Sequence, residues 1–341
     1  MHFMHGLIQC YPSPVTETGW DGMNGHDLIF GYGVAGRAIA DRLASAGRSV
    51  RVAQRSRPAR MGKGAHFFRC DVLDHDEVMN AAAGAARIVI ATGFPYRTGI
   101  WERCWPRAME HFLTAAQANG APMLFFDNMY MYGPQDGPIS ETSSFAPWGG
   151  KPAVRRRISQ MWQAASRQGG VRMSALRVSD FYGPGVTNSH IGNLLFARLA
   201  AGKAAQFAVP VDHPHDVAFL PDVARAAHSL LDAPDDAWGQ VWHMPCAPTR
   251  TLRDIASMAA GAMGRPPHVQ VIPPALQWLL RPVSPILREV HDVRFLFDRP
   301  YHVDASKFAR HFWSDVTPLE VGVAETTRYF LDAAREYANA R

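Results

Sequence analysis

An α/β fold with a doubly wound parallel sheet is what this chain predicts, and three observations carry the prediction. Apolar strand-length runs alternate with helix-length stretches from residue 28 to residue 231, several of those runs are apolar almost throughout, and a glycine turn joins the first strand to the first helix. Such alternation sets parallel strands side by side with helices on both faces.

The first strand ends in Leu28, Ile29 and Phe30. Gly31, Gly33 and Gly36 follow in G-x-G-x-x-G spacing, and between a strand and a helix that pattern marks a dinucleotide site. Gly31 permits the tight turn, Gly33 lets backbone approach a pyrophosphate, and Gly36 lets the helix sit close to the sheet. The helix opens with Val34, Ala35 and Gly36, whose unpaired N–H groups and positive dipole end face the phosphates. Ile39 and Leu43 bury it, Gly47 stops it, and Val50 and Val52 alternate as the second strand. The end of that strand selects the dinucleotide. An NAD site presents Asp or Glu there to the ribose 2′-OH, whereas this chain has Gln54, Arg55, Ser56 and Arg57. Guanidinium groups suit a 2′-phosphate through paired, charge-assisted bonds, so NADP(H) is expected over NAD(H), with Arg55 and Arg57 as contacts. Solvated loop charges are the plainer reading of the same two arginines.

Ala65 to Cys70 reads as the third strand, with Asp71 to Asp74 as its exit and Asp74 as N-cap of a helix over Asp76 to Ala85. A nearly all-apolar strand starts at Arg87 and ends at Thr92 and Gly93, where backbone can pass close to a ribose or phosphate. Trp101 to Asn119 is helical in period, the run from Ala121 returns to strand, a helix spans Pro152 to Gln168, and Val171 to Val178 is the next strand. The turn-rich segment 179–185 then lies at the carboxyl edge, where open α/β sheets bind ligands. A helix around Ile191 to Ala201, a short strand near Ala205 to Val209 and a helix from Asp222 to Leu231 follow. The expected division is an N-terminal extension over 1–25, a Rossmann-type domain over 26–243 with a lobe insertion at about 183–215, and a smaller, proline-rich C-terminal substrate lobe over 244–341.

The 341 residues suffice for such a domain plus a lobe. With 47% hydrophobic and 19% charged residues, the composition excludes a disordered chain. A net charge of +5 raises nucleic acid as a partner, yet the one dense basic run, Arg155 to Arg157, lacks interleaved aromatics; it is read as a solvated helix face, and no nucleic acid is expected. Cys10, Cys70, Cys104 and Cys246 are widely spaced without C-x-x-C, as free thiols of a reducing compartment are, so a cytoplasmic location is expected. No continuous apolar stretch of about 18 residues occurs, so no membrane contact is expected, and the opening residues lack a signal-peptide pattern.

From Leu28 through Leu231 the chain resembles the extended short-chain dehydrogenase/reductases, specifically the NAD(P)-dependent epimerase/dehydratase branch. The residues that carry the resemblance stand in order. They are the glycine turn, Asp71-Val72 after strand three, Thr92-Gly93 after strand four, Tyr132-Gly133 closing strand five, Leu176-Arg177 followed by Tyr182, Gly183 and Pro184, and Asp222-Val223-Ala224 at a late helix start. The glycine spacing is shorter than the G-x-x-G-x-x-G of most extended members. The resemblance implies an adenine contact at Asp71 and Val72, a cofactor-lining turn at Thr92 and Gly93, a small-molecule substrate, and dimerisation through the helices after strands four and five. Such a dimer would set Arg155, Arg156 and Arg157 against a like-charged copy, so a homodimer is left open.

The catalytic half of the resemblance is missing. Active members carry Ser or Thr near the end of strand five and Tyr-x-x-x-Lys on the next helix, where the lysine and the ribose lower the tyrosine pKa for proton exchange. Here Asn128 stands at the Ser/Thr position, and it can donate to a carbonyl but not relay through a hydroxyl. The residue four before Lys151 is Pro147, and the other register puts Gly149 and Ala153 where Tyr and Lys belong. Tyr130, two residues after Asn128 and on its side of the strand by the period of two, is a candidate proton donor or a buried aromatic. Lys151 is a candidate ribose ligand or a surface lysine before a helix. Asp180 stands where nucleotide-sugar members present Asn, as a general base, a substrate ligand or a cap. Trp101, Trp105 and Trp148 line an apolar mouth or, for the first pair, pack a helix. His213 and His215 lack a third ligand fixed by spacing, so no metal is expected. His215 falls where sugar-nucleotide epimerases carry an arginine that grips the diphosphate, which points away from a UDP- or GDP-sugar. The expected function is an NADP(H)-dependent reductase, dehydrogenase or epimerase acting on a small carbonyl or hydroxyl compound; the alternative is a non-catalytic NADP(H)-binding redox sensor or regulatory protein.

Overall fold

The computed structural model describes residues 25–280 and 282–339. Residues 1–24 of the expected extension, with Cys10, lie outside the described residues. The first half alternates strand and helix as β1 (His26–Phe30), α1 (Val34–Ser45), β2 (Val50–Gln54), β3 (Ala65–Arg69), α2 (His75–Ala82), β4 (Ala85–Ile90), α3 (Thr98–Asn119), β5 (Met123–Asp127), α4 (Gly150–Arg167) and β6 (Met173–Arg177). Then come β7 (Asp180–Tyr182), α5 (Arg198–Ala200), β8 (Ala205–Phe207), β9 (Pro214–His215), β10 (Val217–Phe219), α6 (Leu220–Leu231), β11 (Val241–His243) and β12 (Arg250–Thr251). The C-terminal part adds α7 (Leu252–Ala262), β13 (Val269–Val271), α8 (Pro274–Leu280), α9 (Pro285–His291), α10 (Ser306–His311) and α11 (Leu319–Asn339).

Seven strands form one sheet in the order β11-β6-β5-β4-β1-β2-β3, and every pairing is parallel. The fold is therefore the doubly wound Rossmann type. Strands β1 and β6 are buried at every position, as strands covered on both faces must be. One face carries α1 against α6, and the other carries α2, α3 and α4. A third apolar cluster gathers Tyr182, Leu195, Phe207 and Phe219 with Leu252, Phe295, Tyr301 and Phe330, so segments from 182–219 and 252–330 share one core.

Strand order reverses between β1 and β4, and a crevice opens there at the carboxyl ends of the strands. Asp74 caps α2 by accepting from the Glu77 N–H at 2.9 Å. That helix stops at Ala82 rather than 85, because Gly84 at φ +71° turns the chain into β4, which opens at Ala85. Strand β5 closes at Asp127, and Tyr130–Tyr132 form a 3₁₀ turn. Around Gly192–Ala197 the expected helix is π-helical before α5. Among the described residues no helix is long and apolar enough to cross a membrane.

Candidate active site

The crevice begins at the glycine turn. Gly31 has φ +95°, and a Cβ there would press on the Ala91 carbonyl at 2.8 Å. A Cβ on Gly36 would lie 2.1 Å from the Gly31 carbonyl, so helix and turn approach as only glycine allows. Gly33 is different: its Cβ would meet no atom within 4 Å. The space above it, in front of Val34 and Ala35, is open. Gly33 caps α1 with no side-chain hydrogen bond, and the first turn holds no acid, so the helix end presents its N–H groups to an anion. The residues present fit a pyrophosphate. On the far side of the crevice Thr92 is held by its Oγ1–H to the Phe30 carbonyl at 3.1 Å, and Gly93 opens onto space.

At the end of β2 the Gln54 side chain accepts from the Tyr32 N–H at 3.1 Å and donates to the Ser56 carbonyl at 2.6 Å. A neutral amide thus ties the strand end to the glycine turn where an acid would face an added phosphate. Arg55 and Arg57 are exposed beside it, with Arg57 also over the Phe67 ring at 5.3 Å. Asp71 accepts from the Leu73 N–H at 3.0 Å, and Val72 is nearly buried next to it.

Beyond β5 the structure departs from the sequence reading. Asn128 and Tyr130 lie beyond β5, so they do not share a strand face; they are joined because Asn128 Oδ1 accepts the Tyr130 N–H at 3.1 Å. That bond turns the Asn128 NH₂ outward as a donor. The Tyr130 hydroxyl is 3.4 Å from that of Tyr96, and its ring stacks on Trp101. Burial, and then the Asp180 charge, push the Tyr130 phenol up to about 12. Trp101 and Trp105 are core residues, whereas Trp148 is 42% exposed and donates to the Asp292 carbonyl.

Lys151 is not a surface lysine. It is 0% exposed, and its ammonium pairs with Glu289, donates to Thr98 Oγ1 at 3.2 Å and lies 4.2 Å from the Tyr96 ring centre. A ribose contact at this residue has to compete with that ion pair. Nor is the basic run a solvated face: Arg155 is 6% exposed, bonded to Asp127 at 3.0 Å and stacked 4.1 Å over Trp105. Arg156 is half-buried, and only Arg157 is exposed. Asp127 also meets Arg177, whose guanidinium bonds the Tyr132 hydroxyl and Ser159.

Asp180, opening β7, faces two imidazoles. His190 Nδ1 is 3.3 Å and His215 Nε2 is 3.7 Å from the same carboxylate oxygen. Burial works to raise the Asp180 pKa, but His190 first and His215 second hold it well below the usual carboxylate range. His215 is buried between the stacked rings of Phe297 and Tyr301. His213 is not part of this group, and among the described residues no cluster of metal-ligating side chains forms. Sequence reading missed His190, whose partner is tertiary, and Arg155, whose burial was legible from Val154, Ile158 and Trp162 on its helix face.

Comparison with known proteins gives the family and the fold. The family model for the NAD dependent epimerase/dehydratase family matches residues 28–243. No curated relative matches at the level of sequence. Among solved structures, the Bordetella bronchiseptica enzyme WbmH in complex with NAD+ is similar with a TM-score of 0.71 and 18% identity, over 92% of this chain and 99% of that one. UDP-glucose 4-epimerase of Thermus thermophilus with NAD gives 0.72 and 20% over 89% and 98% of the two chains. UDP-glucose 4-epimerase of Thermotoga maritima with UDP-glucose gives 0.75 and 16% over 91% and 99%.

Proposed function

This chain belongs to the NAD dependent epimerase/dehydratase family, and we propose that it is an NADP(H)-dependent oxidoreductase or epimerase acting on a small carbonyl or hydroxyl compound. The observation that carries the reading is the open cradle over Gly33 beside a strand end where Gln54, Arg55 and Arg57 replace the acid of an NAD site. Gly31, Gly33, Val34, Ala35 and Gly36 would hold the pyrophosphate, Arg55 and Arg57 the 2′-phosphate, and Asp71 and Val72 the adenine. Thr92 and Gly93 would line the nicotinamide half, with Lys151 near it. The nicotinamide, when bound, supplies or accepts hydride.

The chain's own groups divide the remaining work. Asn128 NH₂ polarises the substrate oxygen, because its Oδ1 is already taken by Tyr130. Tyr130 keeps its proton at neutral pH and so donates, while Asp180 is ionised and accepts. A second reading, a redox sensor that binds NADP(H) without turnover, is favoured by α4, which offers Lys151 and Arg155 in ion pairs and no phenol.

Titration with NADPH and NADH, followed by nicotinamide fluorescence or calorimetry, tests the proposal. Replacing Arg55 and Arg57 by Ala should weaken NADPH by about 10- to 100-fold, as loss of charge-assisted bonds worth roughly 1.5–3 kcal/mol requires, and leave NADH unchanged. Equal affinity of the native protein for both dinucleotides refutes the NADP(H) preference, and absence of binding refutes the whole reading. Substrate-dependent NADPH oxidation excludes the sensor.

A further inference from the structure

We infer that α8 and the turn after it form a docking surface for an anionic phospholipid bilayer. The inference stands apart from the cofactor reading. It is carried by an apolar helix that the fold leaves uncovered, inside a stretch of chain that holds cations and no acid.

Helix α8 reads Pro-Ala-Leu-Gln-Trp-Leu-Leu, and none of its residues is buried. Leu276, Leu279 and Leu280 stand at the i, i+3, i+4 spacing by which a helix packs onto a core. All three are exposed instead, Leu279 at 65%. Trp278 is 75% exposed, and Val283, at 77%, is kept beside the helix end because its N–H donates to the Leu280 carbonyl at 3.1 Å. Val271, on the strand before α8, is exposed as well. Exposed apolar residues are ordinary when scattered singly, but six between residues 271 and 283 make a patch of the kind that marks a contact surface.

The patch stands on a fixed base. Strand β13 pairs with β8, the Ile272 N–H donates to the Phe207 carbonyl at 2.8 Å, and the Gln277 amide donates to the Ile272 carbonyl at 2.7 Å. Across a groove, Gln277 and Trp278 face Leu287 and Val290 of α9, with His291 and Arg294 in the same wall. Helix α9 is joined in turn to α4 by the ion pair of Glu289 with Lys151.

Charge selects the occupant. Residues 255–288 contain no Asp or Glu, and their basic side chains are Arg265, His268, Arg281 and Arg288. Arg288 is exposed and forms no ion pair among the described residues, while Arg265 donates to the Leu199 carbonyl. The nearest acids in sequence beyond this stretch are engaged: Glu289 and Asp292 by Lys151 and Thr98, and Asp298 by Arg299. A second copy docked about a two-fold axis would set these cations against themselves, with no acid in the stretch to pair them. An anionic lipid surface meets both features, since it offers an apolar layer to the leucines and negative headgroups to the arginines. Tryptophan is at home at that boundary, where its ring is apolar and its N–H is wet. Among the described residues no helix can cross a membrane, and α8, seven residues and about 10 Å long, lies in the interface rather than through it.

Sedimentation of the full chain with lipid vesicles tests the surface. Partition into equimolar phosphatidylcholine–phosphatidylglycerol vesicles should exceed partition into phosphatidylcholine alone by about tenfold or more, and should fall as salt screens the headgroups. Trp278 is one of nine tryptophans, so its blue shift on binding is read as the difference from Trp278→Phe. The double substitution Trp278→Ser, Leu279→Ser should weaken partition by about tenfold or more, and Arg288→Gln by about fivefold, with native urea midpoints in both because all three side chains are exposed. Absence of binding to either vesicle, equal partition into both, or partition unaltered by the double substitution overturns the inference. A vesicle-free dimer that dissociates in the doubly substituted protein shows the patch covered by a second copy and overturns it as well.

Discussion

His243 should make this protein acid-labile. Its Nε2 is 2.8 Å from the Tyr132 hydroxyl, whose oxygen accepts a hydrogen bond from Arg177 Nη1 at 2.5 Å and whose O–H therefore donates to the imidazole. His243 Nδ1 then donates to the Asp304 carbonyl at 3.3 Å. The neutral ring is fully used, and a proton on Nε2 would set donor against donor beside a guanidinium. Burial first, and the Arg177 charge second, lower the His243 pKa from 6.5 to about 3. The unfolded chain binds this proton near 6.5 and the folded chain does not, so the associated stability is complete above pH 6.5 and falls between 6.5 and 3. At roughly 1.4 kcal/mol per pH unit, the loss is about 3 kcal/mol at pH 4.5 and about 5 kcal/mol at pH 3. Urea unfolding at pH 7.5 and 4.5 measures it. His243→Gln should be less stable at pH 7.5 by roughly 1–3 kcal/mol, since the Tyr132 hydroxyl loses the imidazole nitrogen that accepts from it, yet its further loss on going to pH 4.5 should be smaller than the native loss by about 3 kcal/mol. Contributions of other residues, His26 among them, appear in both proteins and cancel. Equal losses in the two proteins refute the reasoning.

Two further substitutions separate cradle from scaffold. Gly33→Ala should fold with native stability, because its Cβ meets nothing within 4 Å, and weaken NADPH by about tenfold or more, whereas Gly36→Ala should cost about 3 kcal/mol or more in unfolding experiments through the clash with the Gly31 carbonyl. The opposite order of effects overturns the placement of the pyrophosphate. Asp127→Asn strands the buried guanidinium groups of Arg155 and Arg177 and should lower stability by about 3–5 kcal/mol; a loss below about 1 kcal/mol in urea unfolding means the pair is not held as described.

The parts of the fold legible in the sequence were those specified locally. Leu28 to Phe30, the glycine spacing and the Asp74 cap each act within a few residues, and the structure places β1, α1 and α2 accordingly. Boundaries slipped where a turn rather than a pattern decides, as at Gly84 and after Asp127. Strand β11, only three residues long, gave no pattern of its own and gains its place by pairing with β6. The glycine turn was legible for the same reason the fold was, since its spacing and close approaches are local. The rest of the site depends on distant partners: Glu289 lies 138 residues from Lys151, and nothing near His190 announces Asp180 and His215 as neighbours.

The run Arg155 to Arg157 shows why composition misled and what the helix does with its cations. A run of three arginines is solvated only if the helix turns all three outward, and at 3.6 residues per turn it cannot. Arg155 shares the inward face with Lys151 and with Ile158 and Trp162, and both cations reach carboxylates across the cleft wall, Glu289 and Asp127. Lys151 and Arg155 stand four apart on the first turns of α4, the spacing of the family's Tyr-x-x-x-Lys, but neither can act as a phenol. Their charges are spent joining elements, α4 to α9 through Glu289 and α4 to β5 through Asp127. A helix whose inward cations are committed to these two carboxylates is a structural clamp, and it offers no phenol in place of the tyrosine.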